Sequence, residues 1–278
     1  METRVVLTAF GRPEMLWHCL SRIDKADKPD GLRLTFRLDH GYDREIHDVL
    51  GMFAHLPADV SIAPKHPFHA STKQSANVLG GLYQAARLTD HDSIVHLIED
   101  DVMIGPDHFT FSDKAHRAGE FFCVTTSANC NGGEETDEPA LGVRVSHGTY
   151  RGIGTSFRAG AFLDHIAPHI RPDYYLNPRQ YIKRTFVPDP FGGAWTEQDG
   201  LIRRIQMQEG MPPIAYAITP RSYHAGYYGK NRPGKRPTGT LPQRIDAVGE
   251  VIYSPEAMRK KSRSEAYYLD SVPITFDR

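Results

Sequence analysis

The first hundred residues alternate between two hydrophobic rhythms. Residues 4–10, Arg-Val-Val-Leu-Thr-Ala-Phe, form a short apolar run that predicts a first strand. Gly11, Arg12, Pro13 and Glu14 then turn into a helix, with Pro13 suited to the first helical position. Met15, Leu16, Cys19, Leu20 and Ile23 follow at helical spacing, and residues 24–31 form a polar loop. Residues 32–38 alternate and predict strand two, ending at Asp39, His40 and Gly41. A helix over 46–56, a short strand over 60–63 and a helix over 75–88 come next, the last with Ala76, Leu79, Leu82, Tyr83 and Ala86 on one face. Strand four is the run 93–102, Ser-Ile-Val-His-Leu-Ile-Glu-Asp-Asp-Val, in which apolar residues lead straight into three carboxylates.

Beyond Val102 the rhythm weakens. Strands are expected over 121–126, 143–145 and 212–220, and a strand with a tight turn over 152–158. Helices are expected from Gly160 to Ile166 and over 201–208, with a Pro/Gly loop at 188–193 and a closing segment at 222–226. From Asn231 proline and glycine are frequent, so 231–243 reads as an exposed loop. Strands that alternate with helices predict an α/β fold, a three-layer sandwich with a mainly parallel sheet. The expected layout is one domain over 1–230, with a ligand-binding half at 1–102 and a second half at 103–230, followed by a basic extension at 231–278.

Composition narrows the class. The chain has 278 residues, 40% hydrophobic and 24% charged, ordinary for a globular protein. No apolar run has the length of a bilayer span, and the start shows no secretory leader. The expectation is a cytoplasmic protein with no membrane association, or one trimmed of its anchor. Three cysteines are too few and too scattered for a disulfide framework or zinc site. The net charge of −1 hides an asymmetry: residues 221–263 hold ten Lys/Arg against three Asp/Glu, interleaved with tyrosines. Such a segment suits a phosphate-bearing partner, and equally a solvated surface tail.

The chemistry gathers at strand ends. Three acids in a row at Glu99, Asp100 and Asp101 repel one another unless water or a cation reaches them. Carboxyl ends of strands are where ligands bind in open α/β sheets. Asp101 is therefore a candidate ligand for Mg²⁺ or Mn²⁺ holding a diphosphate, with His224 as a second ligand; the plainer reading is a solvated acidic turn. Glu197 and Asp199, at the start of a helix after a flexible loop, are candidates for a general base, or simply helix caps. Arg12 and Lys73 could offset phosphate charge, and Asp39 could accept from a ribose or base edge. The glycine signatures of dinucleotide-binding and P-loop sites are missing, as are those of serine hydrolases and zinc proteases.

Residues 7–16, Leu-Thr-Ala-Phe-Gly-Arg-Pro-Glu-Met-Leu, resemble the opening of GT-A glycosyltransferases. Ser75-Ala76-Asn77-Val78-Leu79-Gly80 followed by Ile98-Glu99-Asp100-Asp101 is similar to their step from helix to acidic strand end. The nearest likeness is to the N-acetylglucosaminyltransferases of glycan branching, which carry Glu-Asp-Asp and a later Asn-x-Asn-Gly loop, matched here by Asn129-Cys130-Asn131-Gly132. The resemblance runs from Arg4 to Gly226. It implies a metal-dependent, inverting transfer from a nucleoside-diphosphate sugar, a UDP-sugar above all, to an acceptor hydroxyl. In that reading Asp101 and His224 hold the metal. Thr8, Ala9, Arg12, Asp39, Lys73, Asn77, Glu99 and Asp100 contact the donor, and Glu197 or Asp199 is the base, Glu197 slightly preferred. Gln198 interrupts the adjacent acid pair often seen there. The basic segment adds one acceptor suggestion: hydroxymethylated bases in phage-type DNA, with a saccharide or protein as the conservative choice. The alternatives from other classes are a non-catalytic nucleic-acid or sugar-binding module and a metal-dependent phosphoesterase.

Overall fold

The computed structural model describes residues 2–65, 67–68, 72–127, 135–138, 140–147, 150–229 and 234–254. The first half runs β1 (Thr3–Ala9), α1 (Pro13–Lys25), β2 (Arg33–Leu38), α2 (Glu45–Met52), β3 (Ala58–Ile62), α3 (Lys73–Arg87) and β4 (Ile94–Glu99). It continues with β5 (Val102–Ile104), α4 (His108–Ala118), β6 (Cys123–Thr125), β7 (Glu135–Glu138), β8 (Val143–Ser146) and β9 (Thr155–Arg158). The last part holds α5 (Ala159–Ala161), which widens into a π turn at Phe162–Ile166, then α6 (Pro172–Leu176), α7 (Pro178–Thr185), α8 (Gln198–Gln206), β10 (Ile214–Ala217), β11 (Ser222–His224) and α9 (Leu241–Ile252).

Nine strands form one sheet in the order β3-β2-β1-β4-β9-β6-β10-β8-β7. The pairings make β8 and β9 the two strands that oppose the other seven, so the sheet is mainly parallel as expected. Alternation along β1 feeds both faces. Val5, Leu7 and Ala9 join the core under α1, α2 and α9, whereas Val6 joins the core under α3 and α8. This is a three-layer α/β/α sandwich. Gly81 lets α3 sit close on the sheet, because a Cβ there would come within 2.8 Å of Val6 Cγ1.

Several later elements depart from the sequence expectation. Strand four stops at Glu99, and Val102 belongs instead to β5, which pairs antiparallel with β11 outside the main sheet. The unexpected α4 buries His108, Ser112 and His116 along with its phenylalanines, so polar residues mask its period. Within the expected loop at 231–243 the described part from Leu241 is already α9. Its start is a capping box, with the Thr240 N–H donating to Gln243 Oε1 at 2.9 Å. The buried face of α9, Leu241, Ile245, Val248 and Ile252, shares the core of α1. Among the described residues no helix is long and apolar enough to cross a membrane.

Candidate active site

β1 and β4 are neighbours in register, Thr8 facing Glu99. The Asp100 N–H extends that ladder by donating to the Thr8 carbonyl at 3.0 Å. Arg12, the residue before α1, forks across the two following acids: Nη2 donates to Asp100 Oδ1 and Nη1 to Asp101 Oδ2. His224 arrives from the far end of the chain because β11 pairs with β5 and sets it opposite Val102. Its Nε2 lies 3.1 Å from Asp101 Oδ2, and the Ala225 N–H donates to the Asp101 carbonyl at 2.7 Å. Gly226 makes this approach possible, since a Cβ there would stand 2.3 Å from Asp101 Oδ2.

The three acids differ in charge state. Burial pushes Asp101 up, but the hydrogen bond from His224 and the charges of His224 and Arg12 outweigh it and hold the carboxyl well below the usual range. Burial raises Asp100 despite Arg12. Burial raises Glu99 as well, and Asp101, Asp199 and Asp100 add to the effect. Glu99 also accepts from Gln74 Nε2 at 2.9 Å.

The second wall comes from the loop before α8. Arg204 is fully buried and ties this loop down: it donates to Asp189 at 2.8 Å and to the carbonyls of Trp195 at 2.8 Å, Ala194 at 2.6 Å and Gly200 at 3.0 Å. Tyr174 donates to the Thr196 carbonyl at 2.8 Å. Gln198, which breaks the acid pair in sequence, latches α8 to α3: its N–H donates to Ser75 Oγ at 2.9 Å, and Ser75 Oγ donates to Gln198 Oε1 at 2.8 Å. The latch brings Asp199 into the field of Glu99. Asp199 is solvent-accessible, as is Glu197 two residues before it, yet protein atoms crowd its carboxyl, and that crowding with the charge of Glu197 pushes it up to about 6 against a bond from the Gly152 N–H. Glu197 occupies the N-cap position of α8, exposed and without a side-chain capping bond.

The other expected residues are distributed unevenly. Asp39 lies just past β2, its N–H donating to the Ala9 carbonyl at 3.1 Å, so Thr8, Ala9 and Asp39 line the same strand ends as the acids. Lys73 is exposed on the first turn of α3. Asn77 is buried and engaged by Arg37, whose Nε donates to its Oδ1 at 3.0 Å. The Asn129–Gly132 match lies outside the described residues. Of the four described basic residues in 221–263, three face internal acids. Arg221 pairs with Asp107 at 2.8 Å, Arg236 with Glu14 at 2.9 Å and Asp43 at 2.8 Å, and Arg244 with Glu14 and Glu45. A basic composition therefore does not leave a basic face in this part of the segment.

Sequence reasoning missed four contributors. Glu14, fully buried, accepts from Tyr228 at 2.6 Å, Arg236 and Arg244, and so fastens the C-terminal helix two residues from Arg12. Tyr150 is buried, and a Cβ on Gly152 would meet both its hydroxyl, at 3.6 Å, and Asp199 Oδ1, at 3.0 Å. Arg204 and Ser75 act only through contacts distant in sequence. Even Glu14 carries no signal of its own, since an acid in the first turn of a helix is ordinary.

The residues fit a divalent cation. Asp101 Oδ1 is buried with no hydrogen-bond partner, beside an imidazole. Among the described residues no group of three His, Cys, Asp or Glu side chains could hold a metal without help. Protein ligands would thus be Asp101 and His224, with phosphate oxygens and water completing the shell; the single carboxylate suits Mg²⁺ or Mn²⁺, and the imidazole favours Mn²⁺ of the two. A separate cavity of about 590 Å³, lined by Asp90, Asp92, Ser93, His116, Arg117 and Arg158, lies at the opposite end of β4 and contains none of the expected site residues.

No protein-family model matches the chain, and no curated protein matches it by sequence. Solved structures with a similar outline exist. The mannosyltransferase PcManGT from Pyrobaculum calidifontis, in complex with GDP-Man and Mn²⁺, is 14% identical over 79% of this chain and 57% of its own, with a TM-score of 0.41. S. aureus TarS 1–349 in complex with UDP-GlcNAc is 11% identical over 97% of this chain and 69% of its own, with a TM-score of 0.49. The same protein in complex with UDP is 13% identical, also with a TM-score of 0.49. The chain spans little more than half the length of the mannosyltransferase it resembles.

Proposed function

We propose that the chain is a metal-dependent, inverting glycosyltransferase of the GT-A type that uses a nucleoside-diphosphate sugar, a UDP-sugar in the first instance. The observation that carries this reading is a proximity: an acidic strand end bridged by Arg12 and His224 lies within the electrostatic reach of Asp199, a carboxyl with a raised proton affinity. Charge separation at a leaving diphosphate and proton removal from a hydroxyl are the two tasks of such a transfer, and the two walls divide them.

Asp101 and His224 would hold Mn²⁺ or Mg²⁺, which when bound offsets the charge of the departing diphosphate. Arg12 adds a fixed cation beside them. Glu99, protonated more readily than an ordinary carboxyl, can donate a hydrogen bond to a donor hydroxyl. Thr8, Ala9, Asp39, Lys73 and Asn77 complete the donor side, Asn77 by holding Arg37 at the end of β2. We assign the base to Asp199 rather than Glu197, because Asp199 is the one that acts on Glu99 and its carboxyl has the raised proton affinity. Asp199 takes the acceptor proton, the freed oxygen bonds to the anomeric carbon, and the carbon–diphosphate bond breaks on the opposite face.

The acceptor suggestion of hydroxymethylated DNA rests on the basic segment, of which Lys235 is exposed and six further Lys/Arg lie outside the described residues. Transfer to such DNA, with affinity falling steeply in salt, would support it. The donor reading is tested by a melting-temperature screen of nucleotide-sugars with and without Mn²⁺. A UDP-sugar should raise the melting point of the wild-type protein only with metal, and Asp101→Ala should abolish the rise. A wild-type protein indifferent to every nucleotide-sugar would remove the proposal.

A further inference from the structure

The loop before α8 holds an aromatic side chain in an unusual state. Trp195 is 57% exposed, and it is the one non-glycine among the described residues with positive φ, at 50°. A bulky residue in that region is strained and persists only where its surroundings impose it. Here they do: Arg204 grips its carbonyl, and Gly200 leaves the space that carbonyl fills, since a Cβ at 200 would lie 1.8 Å from the oxygen. That Cβ would also come within 2.9 Å of the Trp195 Cβ, so the indole is rooted against the residue next to Asp199. Phe191 lies beside it at 5.1 Å, and the Arg203 guanidinium covers both rings, at 4.8 Å from Phe191 and 5.4 Å from Trp195. The core gains little from an indole left this open.

We infer that Trp195 is the platform for the acceptor and that the acceptor is a neutral saccharide ring. The inference rests on the glycosyltransferase reading above. The C–H face of a pyranose is apolar while its rim carries hydroxyls, which matches a flat aromatic beside carboxylates. With the ring on Trp195, one rim hydroxyl meets Asp199; its proton passes to that carboxylate, its oxygen forms the new bond to the anomeric carbon, and the diphosphate departs with the old bonding pair. Charge favours this occupant over a polyanion. Glu197 and Asp199 follow the indole within four residues and Asp199 acts on Glu99, while the nearest cations are committed, Arg204 to Asp189, Arg203 to the two rings and Arg151 to the field of Asp199; Arg179 and Lys183 stand farther back, beside Gly193. A phosphate-bearing strand would bring its charge against those carboxylates, whereas an uncharged sugar would not.

The chain has two tryptophans, Trp17 and Trp195, so Trp17→Phe leaves one reporter at the proposed platform. Emission of that variant would be titrated with maltotriose, chitotriose and lactose, and separately with a hydroxymethylcytosine oligonucleotide. If Trp17→Phe folds poorly, the wild-type spectrum minus that of Trp195→Phe gives the same signal. A saccharide should shift the emission. For the saccharide that does, Trp195→Ala should raise the acceptor KM at least tenfold, Trp195→Phe should restore most of it, and the melting shift with UDP-sugar and Mn²⁺ should persist in both. Emission that answers to the oligonucleotide alone, or to neither, overturns the inference, as does an unchanged acceptor KM in Trp195→Ala. Because the donor shift is read separately, each of these failures leaves the donor reading intact. A saccharide response without any donor shift would instead sink the transferase and keep the sugar site.

Discussion

As the proposed base, Asp199 serves reactivity at the expense of stability. Its carboxyl ionises at about 6, against an ordinary value of 3.8, because burial and Glu197 disfavour the anion. Between those values the folded protein holds a proton that the unfolded chain releases, so its contribution to stability declines as pH rises through that window. Two outcomes follow for Asp199→Asn. The variant should melt higher than wild type at pH 8, with the difference narrowing as pH falls below 6. It should also lose transfer activity by 100-fold or more, within the range for a general base, and wild-type activity should fall on the acid side with a midpoint near 6 rather than near 4. A variant with unchanged activity and an unchanged acid limb would move the base elsewhere, with Glu197 the first candidate.

At the scale of elements, α8 and its preceding loop work as one unit. Arg204 is wholly enclosed and Asp189 nearly so, and a buried pair that loses one partner costs about 3–5 kcal/mol. Arg204→Met should therefore lower the unfolding free energy by roughly 3 kcal/mol and expose residues 189–196 to limited proteolysis while the rest of the chain resists. Uniform resistance would show that the loop keeps its form without the arginine. This unit also marks the border of what the sequence discloses. Residues 93–101 announced both an apolar strand and its acidic end, because a strand's period and its terminal charges are local properties. The first six elements were legible for the same reason. The Ser75–Gln198 latch, the Arg204 clamp and the Glu14 network join residues more than a hundred positions apart or lie inside loops, where no period operates. α4 was hidden by its own buried histidines, and α9 by the prolines and glycines that precede it. The acids of the basic segment's partners, Asp43, Glu45 and Asp107, sit in other elements, so composition alone suggested a charged face that the described part does not present.

On the scale of the whole molecule, three histidines decide the acid limit. His96, His108 and His116 are buried between β4 and α4, with His96 and His108 ring centres 5.2 Å apart. Burial drives all three down, His108 and His116 to about 3, and His96 well below its ordinary value with the charges of His108 and His116 adding to burial. Below their ordinary value of 6.5 the unfolded chain takes up protons that the folded chain refuses, so stability falls as pH drops from 6.5 towards 3. At pH 5 the loss is roughly 2 kcal/mol per histidine, large against a typical domain stability of about 5–15 kcal/mol. Melting temperature should therefore drop steeply between pH 6.5 and 5. His96→Leu should blunt that drop, since neither ring nitrogen of His96 has a hydrogen-bond partner to lose. A melting curve flat over this range would contradict the assignment.

The pairing of β5 with β11 has a consequence in time. Arg12 and the three acids belong to the first part of the chain to leave the ribosome, whereas His224 is synthesised more than a hundred residues later. Until then Arg12 alone compensates the acids, and the nascent protein has the carboxylate but not the imidazole of the proposed cation site. The same late segment supplies Tyr223, Ala225 and the buried face of α9 to the core around α1, so a chain released early would lack part of that core as well as the imidazole beside Asp101.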